Sequence, residues 1–333
     1  MPASNNLKKW LTSLNYNNYL KPVASDAGAR KYFRLYPSEQ ESLIVMDASA
    51  VIDSCEPFVN IAQTWQLEGI NAPKIIASDL EQGFLLLSDM GEQSLLNVLQ
   101  QTEFEEHMPK NPKPVADLYQ KAFNVLFKLQ KIRKNRNLPR FNHDLIYAEF
   151  DLFEQWFLGK HLNVSLNAEQ QKIWLRTKRR LASNLLAQKR IVIHRDFMLR
   201  NLLLDGNGNL GVIDFQDAIV GPICYDVISL MRDAFFSLPP LYELWLLIQI
   251  YNQAEASHTR LAKNFDFFLL DYFFTGLQRH LKILGVFARL KYRDGKDHYL
   301  ADAPRFFNYI NYACDRYEVL QPFGKMFKDL CKL

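Results

Sequence analysis

Ile193-His194-Arg195-Asp196-Phe197-Met198-Leu199-Arg200-Asn201, with Ile213-Asp214-Phe215 beyond it, is the stretch on which the fold is read. An Asp and an Asn five apart on a tight loop, then a second Asp past a short strand pair, supply one general base and two oxygen ligands for magnesium. Phosphoryl transfer needs little more, because its loose transition state asks the protein mainly to position an acceptor hydroxyl and to neutralise phosphate charge. Arg190 to Ile193 is a β-branched run and Asn201 to Leu204 a second apolar run. Asp205-Gly206-Asn207-Gly208-Asn209 is then a dense hairpin signal before Leu210 to Phe215. The spacing predicts that the loop and Asp214 lie at neighbouring ends of one small sheet, where Asn201 and Asp214 share a metal ion.

The pattern follows the kinase signature H-R-D, four residues, N, then D-F-G, except that Gln216 stands in place of the last Gly. Composition sets the frame. The 333 residues, 48% hydrophobic and 13% aromatic, suffice for one or two large cores. Cys55, Cys224, Cys314 and Cys331 have no C-x-x-C spacing, so neither a zinc site nor a disulfide framework is expected, and a reducing compartment fits. The N-terminus lacks an apolar signal core, and no run approaches the roughly 18 apolar residues of a membrane span. The expectation is a cytoplasmic protein without membrane contact. A net charge of +4 with no basic stripe suits phosphate-bearing small molecules better than nucleic acid, and no obligate protein partner is evident.

The first hundred residues are expected to form a nucleotide-binding lobe. Leu7, Trp10, Leu11 and Leu14 mark an opening helix that Pro22 ends. Ser25-Asp26-Ala27-Gly28-Ala29-Arg30-Lys31 is a small-residue turn before the strand Tyr32 to Tyr36, a place where backbone amides can cover phosphates. Ser42 to Asp47 is a further strand. Phe58, Ile61, Ala62 and Trp65 predict a helix whose buried face continues to Glu68. Kinases pair such a Glu with a strand Lys that holds the phosphates, but Met46 occupies that strand position. Either Arg30, Lys31 or Arg34 reaches the phosphates instead, or Glu68 sits at the rim of the core. Gly83 to Ser88 is an apolar strand ending in Asp89-Met90-Gly91, a hinge against which an adenine ring can lie, with Met90 or Met46 on the ring face. The charged, proline-bearing stretch from Gln101 to Pro114 marks the boundary. Residues 101–333 then form a larger catalytic and substrate-binding lobe, with amphipathic helices near Val115 to Arg133, His143 to Leu158 and Ala168 to Gln188. The fold class is α+β and two-lobed, with ATP between the lobes.

These residues resemble the aminoglycoside phosphotransferase-type, protein-kinase-like family. Its catalytic loop carries H-x-D and a following N, its metal Asp stands in I-D-F or I-D-W, and a Gly-Pro with an Asp lies downstream. Here these are His194 to Asn201, Ile213-Asp214-Phe215, and Gly221-Pro222 with Tyr225-Asp226. The resemblance implies Asp196 as base, Asn201 and Asp214 as magnesium ligands, and His194 and Asp226 as supports of the loop. Within the family the sequence is most similar to the anomeric N-acetylmuramate and N-acetylglucosamine kinases of bacterial cell-wall recycling. Ser25-Asp26-Ala27, Arg30-Lys31, Ile44-Val45-Met46-Asp47, Asp214-Phe215-Gln216-Asp217 and Gln278-Arg279-His280-Leu281-Lys282 carry that likeness, with Phe287-Ala288-Arg289 and Arg293-Asp294-Gly295 after them. It implies ATP and Mg2+ as cofactors and an amino sugar as acceptor. Asp217 is placed to reach a sugar hydroxyl, and Arg279 and His280 to bind the lactyl carboxylate of muramate. Two other readings stand beside this one. The acceptor is an aminoglycoside, choline or another cationic alcohol, or the fold is a catalytically inactive scaffold.

Overall fold

The computed structural model describes residues 3–17, 19–23, 29–132 and 138–332, which fall into two compact units. Ser25 to Gly28 of the expected phosphate-covering turn lie outside the described residues. The first unit opens with α1 (Asn5–Ser13), which starts where the Ser4 hydroxyl accepts from the Leu7 N–H at 3.2 Å. Its strands are β1 (Leu20–Val23), β2 (Lys31–Leu35), β3 (Leu43–Asp47), β4 (Ile75–Asp79) and β5 (Phe84–Ser88). They lie antiparallel in the order β1-β2-β3-β5-β4. Opposed residues of such a sheet share a face. Phe33, Val45 and Leu86 therefore pack with Leu35, Leu43 and Phe84 under Leu7 and Leu11 of α1. Tyr32, Met46 and Leu85, and one pair further along Arg34, Ile44 and Leu87, occupy the reverse face.

Between β3 and β4, α2 (Cys55–Leu67) buries Phe58, Ile61, Ala62 and Trp65 at helical spacing. Gly69, with φ of +73°, turns the chain left-handed and ends the helix. Glu68 is consequently the cap residue and exposed, so the expected continuation of the buried face to Glu68 does not occur. Past β5 the chain forms β6 (Gln93–Ser94) and α3 (Leu95–Gln100).

The second unit comprises Leu99–Met198 and Ile219–Leu333. It begins with α4 (Pro112–Lys131) and α5 (His143–Leu152), which runs on as a π-helical stretch, Phe153–His161. Next come α6 (Ala168–Ala187), started by a reciprocal Asn167 and Gln170 cap, and β7 (Arg190–Ile193). The segment Leu199–Ala218 belongs to the first unit, because β8 (Leu202–Leu204) and β9 (Leu210–Val212) form a hairpin whose β8 edge pairs with β6. Phe215 beyond it stacks on Phe58 at 4.8 Å and leans on Trp65 at 5.0 Å. β10 (Ile219–Pro222) then returns to pair antiparallel with β7. The single sheet expected from the three apolar runs is therefore two sheets, since β7 takes β10 as its neighbour and β8 takes β6.

The remaining elements are α7 (Tyr225–Met231), α8 (Pro240–Ala256), α9 (Phe265–Asp294), α10 (Ala303–Arg316) and α11 (Gln321–Cys331). The 30-residue α9 is the axis of its unit, packed against the π-helical stretch, α5, α6, α7 and α10. Gly285 permits the approach to α5, because a Cβ there would overlap the Leu152 carbonyl. Among the described residues no helix is long and apolar enough to cross a membrane. Gly285→Ala should lower unfolding free energy by about 1–3 kcal/mol through this backbone overlap. Gly206→Ala, where a Cβ meets open space, serves as the control. Urea denaturation of both variants checks this, and equal midpoints would refute it.

Candidate active site

The second unit holds the loop that carries Asp196. β7 leads into His194, and Asp226 in the first turn of α7 accepts from the His194 N–H at 2.6 Å and the Arg195 N–H at 3.0 Å. Those two bonds hold Arg195 at φ of +72°, a left-handed conformation that costs a non-glycine residue about 1–2 kcal/mol. His194 is fully buried and packs edge-on to Phe197 at 5.9 Å. Burial pushes the Asp226 carboxyl up to about 6, against the pull of His194 and of the two backbone donors.

Asp196 itself is half-buried. Burial alone would raise its carboxyl, yet Lys282, Arg279, His194 and Arg195 outweigh that and hold it below the usual carboxylate range. It therefore stays ionised at neutral pH, as a proton acceptor must. Gln278, Arg279 and His280 are all buried on α9 rather than lying on a solvated face. Arg279 Nη1 and both ring nitrogens of His280 have no hydrogen-bond partner among the described residues. Burial together with Arg232 and Arg279 drives His280 well below its ordinary value, so its imidazole is neutral. The ring stacks on Tyr309 at 5.1 Å.

The first unit holds Asn201 and Asp214. Asp214, with φ of +66°, follows β9, and its Oδ2 lies 3.5 Å from the Asn201 side-chain nitrogen. Gln216 Nε2 donates to Asp214 Oδ1 at 2.7 Å, so the residue standing where the signature has Gly orients the carboxylate. Sequence reasoning left that role unassigned, and the only local signal was the departure itself. Asn201 and Asp214 together offer hard oxygen donors, the set Mg2+ accepts when phosphates and water complete its shell. Groups of three or more His, Cys, Asp and Glu able to hold a metal are absent among the described residues. Asp217 is exposed.

The three candidate cations of this unit have separate surroundings. Arg34 is buried and forks onto Asp89, with Nε to Oδ2 at 2.5 Å and Nη2 to Oδ1 at 3.2 Å, and its Nη1 meets Glu92. Asp89 also accepts from the Ser42 hydroxyl at 2.8 Å and the Gly91 N–H at 2.9 Å. Both side chains are thus committed to each other and to the end of β5. Lys31 is exposed opposite Asp47. Arg30 lies beside the Tyr32 hydroxyl, where Asp214 and Cys55 also exert their charge. Burial pushes that phenol up to about 12, while Arg30 draws it back. Arg30 Nε is buried without a partner among the described residues. Met46 is fully buried, and Met90 packs its terminal methyl on the Gly211 backbone of β9.

Comparison with known proteins now gives the arrangement a context. Residues 20–258 match the phosphotransferase enzyme family. The chain is 40% identical over 311 residues to a Pseudomonas aeruginosa protein named N-acetylmuramate/N-acetylglucosamine kinase, covering 93% of this chain and 88% of that one. It is 36% identical over 326 residues to a Neisseria meningitidis protein of the same name, covering 97% and 95%. Among solved structures, an ADP-bound aminoglycoside phosphotransferase superposes with a TM-score of 0.62 at 14% identity, covering 91% of this chain and 97% of that one. A choline kinase from Streptococcus pneumoniae gives 0.61 at 12%, covering 92% and 97%. The fold is therefore the protein-kinase-like α+β fold of those enzymes. Since the family match spans well over half of the sequence and the relatives align along nearly all of it, the chain belongs to the phosphotransferase enzyme family.

Proposed function

We propose that this protein uses ATP to phosphorylate the anomeric C1 hydroxyl of N-acetylmuramate and N-acetylglucosamine, in cytoplasmic recycling of peptidoglycan sugars. The observation that carries the reading is the near-full-length likeness to relatives named N-acetylmuramate/N-acetylglucosamine kinase. Asp196 takes the proton of the C1 hydroxyl as its oxygen attacks the γ-phosphorus and ADP leaves. Asn201 and Asp214 would hold Mg2+, which would neutralise charge on the phosphates. Gln216 fixes the Asp214 carboxylate, and Asp226 fixes the backbone on which Asp196 stands. Arg30 is the cation proposed to meet the phosphates, with Lys31 next to it. Arg34 and Asp89 brace the end of β5, where Met46 and Met90 supply apolar surface near the nucleotide. Glu68, exposed at a helix end, has no cation partner among the described residues and is assigned no phosphate role.

The acceptor is read from charge. The positive charge of Lys282, Arg279 and Arg195 acts on Asp196, which suits a neutral or anionic sugar and disfavours a cationic aminoglycoside or choline. A buried guanidinium nitrogen without a partner is costly unless a ligand meets it. The muramate carboxylate is proposed to do so at Arg279, with neutral His280 donating one further bond and Asp217 reaching a hydroxyl.

Phosphorus NMR of product formed with Mg2+, ATP and either sugar should show a phosphate coupled to the C1 proton. Intact ATP with both sugars would reject the acceptor. Asp196→Asn should cut turnover by about 10²–10⁴-fold with the fold retained. Arg279→Ala should weaken muramate by about tenfold or more, as expected for a charged hydrogen bond, and spare glucosamine. Equal loss for the two sugars would reject the carboxylate contact.

Turnover should also follow Asp226. As pH falls through about 6, protonation removes one of its two acceptor oxygens and loosens the loop, so kcat drops while Asp196 is still ionised. The stability contribution runs the other way. A carboxyl raised in the folded state stabilises fully below its unfolded value and loses that contribution as pH rises through about 6. A kcat profile that is unaltered in Asp226→Asn would reject the assignment.

A further inference from the structure

The middle of α6 is crowded with cations, Lys172, Arg176, Lys178, Arg179 and Arg180. The two lysines are engaged. Lys172 lies 3.9 Å from Glu169, and Lys178 turns to Glu154 and the ring of Trp174. Arg176, Arg179 and Arg180 are exposed and make no hydrogen bond or ion pair among the described residues. Their spacing puts them on one face of the helix with Ser183, where like charges repel. No carboxylate offsets that repulsion. The same face borders a cleft of about 560 Å³, whose opposite wall is Val319, in the turn Glu318–Leu320, and Pro322 at the start of α11. Glu318 beside that wall is exposed and pairs with none of the three arginines. Buried Thr177 also lines the cleft, its hydroxyl donating to the Ile173 carbonyl at 3.0 Å. Neither α6 nor α11 supplies a residue to the reaction proposed above.

A guanidinium forks onto two oxygens of a phosphate, and a phosphate dianion has oxygens and charge enough for several such donors at once. A carboxylate, with two oxygens and one charge, would leave part of the arginine face unmatched. We propose that this cleft is a second binding site, for a small phosphate ester, with Arg176, Arg179 and Arg180 on the phosphate and Val319 and Pro322 against the organic body. Its volume falls within the roughly 300–1,000 Å³ of small-molecule sites. A nucleic-acid polymer suits it less, because the three arginines stand close together on one helix and no basic stripe continues from them. The exposed Ser183 hydroxyl adds a neutral donor at the same wall.

Calorimetric titration of the full chain under saturating ADP and Mg2+ keeps the nucleotide site filled while the cleft is probed. Glucose 1-phosphate represents a sugar ester and uridine monophosphate a nucleoside ester, so the two arms separate the sources of the phosphate. At least one of them should bind with Kd of about 1 mM or tighter, and more tightly than inorganic phosphate, which lacks the body. Arg179→Gln with Arg180→Gln should weaken that binding about tenfold, as expected for two charged hydrogen bonds at a partly exposed site, and leave kcat for the sugars unchanged. Val319→Asp should weaken it as well, by placing a like charge opposite the phosphate. Should the double variant not fold, Val319→Asp alone decides. No binding of either ester, an affinity unaltered by these substitutions, or an RNA 12-mer held more tightly than both esters would overturn the proposal. If the wild type turns over neither sugar, the acceptor assignment fails while this titration still decides the cleft.

Discussion

The loop that carries Asp196 depends on one carboxylate. Asp226 is buried, and it accepts from two consecutive backbone N–H groups, those of His194 and Arg195. Two donors on one acceptor fix the direction of both peptide planes. The chain is thereby bent into the left-handed turn at Arg195, and the residue after that turn, Asp196, is presented at a set angle. An amide at position 226 keeps only one of the two acceptor atoms that these N–H groups use, because the other becomes a donor. The burial that raises the Asp226 carboxyl also shields the pair from water, so the constraint is strong when the group is ionised and weak when it is not.

A second carboxylate balances the charge that α9 brings inside. Burying Arg279 and Lys282 on one helix, next to Arg195, would be prohibitive without an anion. Glu149 supplies it, and Lys282 rises well above its ordinary value as a result. Arg232 shows the same rule elsewhere in this unit. It is buried against Glu243 at 2.8 Å and faces the rings of Tyr309 and Phe273 at 4.6 and 5.0 Å. For Lys282 and Arg232 alike, a carboxylate and aromatic rings share the positive charge.

The sequence carried local information well and long-range pairing poorly. Asp196, Asn201 and Asp214 stand out in the sequence because loop, hairpin and second Asp fall in one short stretch, and Asp226 entered only through family likeness. The pairing of β7 with β10 was not legible, since Ile219–Pro222 is a four-residue strand ending in Gly-Pro and reads as a turn. The reach of the buried face to Glu68 was misread for a related reason. Helical periodicity continues through position 68, but Gly69 stops the helix, and a stop signal outranks the period. The fork of Arg34 on Asp89 joins residues 55 apart in sequence, and Glu149 meets partners 46 and 129 residues away. No pattern within a window can show such pairs.

The two departures from the kinase signature are explained by side chains rather than by loss of function. Glycine after Asp-Phe would offer the Asp214 carboxylate no side-chain donor, whereas Gln216 ties one oxygen and leaves the other toward Asn201. The strand position without lysine follows from the sheet. Met46 sits opposite Tyr32 on a face already crowded by Leu85 and by the buried Arg34 pair. An ammonium placed there would share that face with a guanidinium whose counter-ion is already engaged. A cation entering from the strand's leading end, as Arg30 does beside Tyr32, a phenol on which Asp214 also acts, brings positive charge to that end without burying a second charge in the sheet. The sheet position without lysine and the placement of Arg30 at the leading end of its strand thus keep positive charge at the edge of the sheet rather than within it.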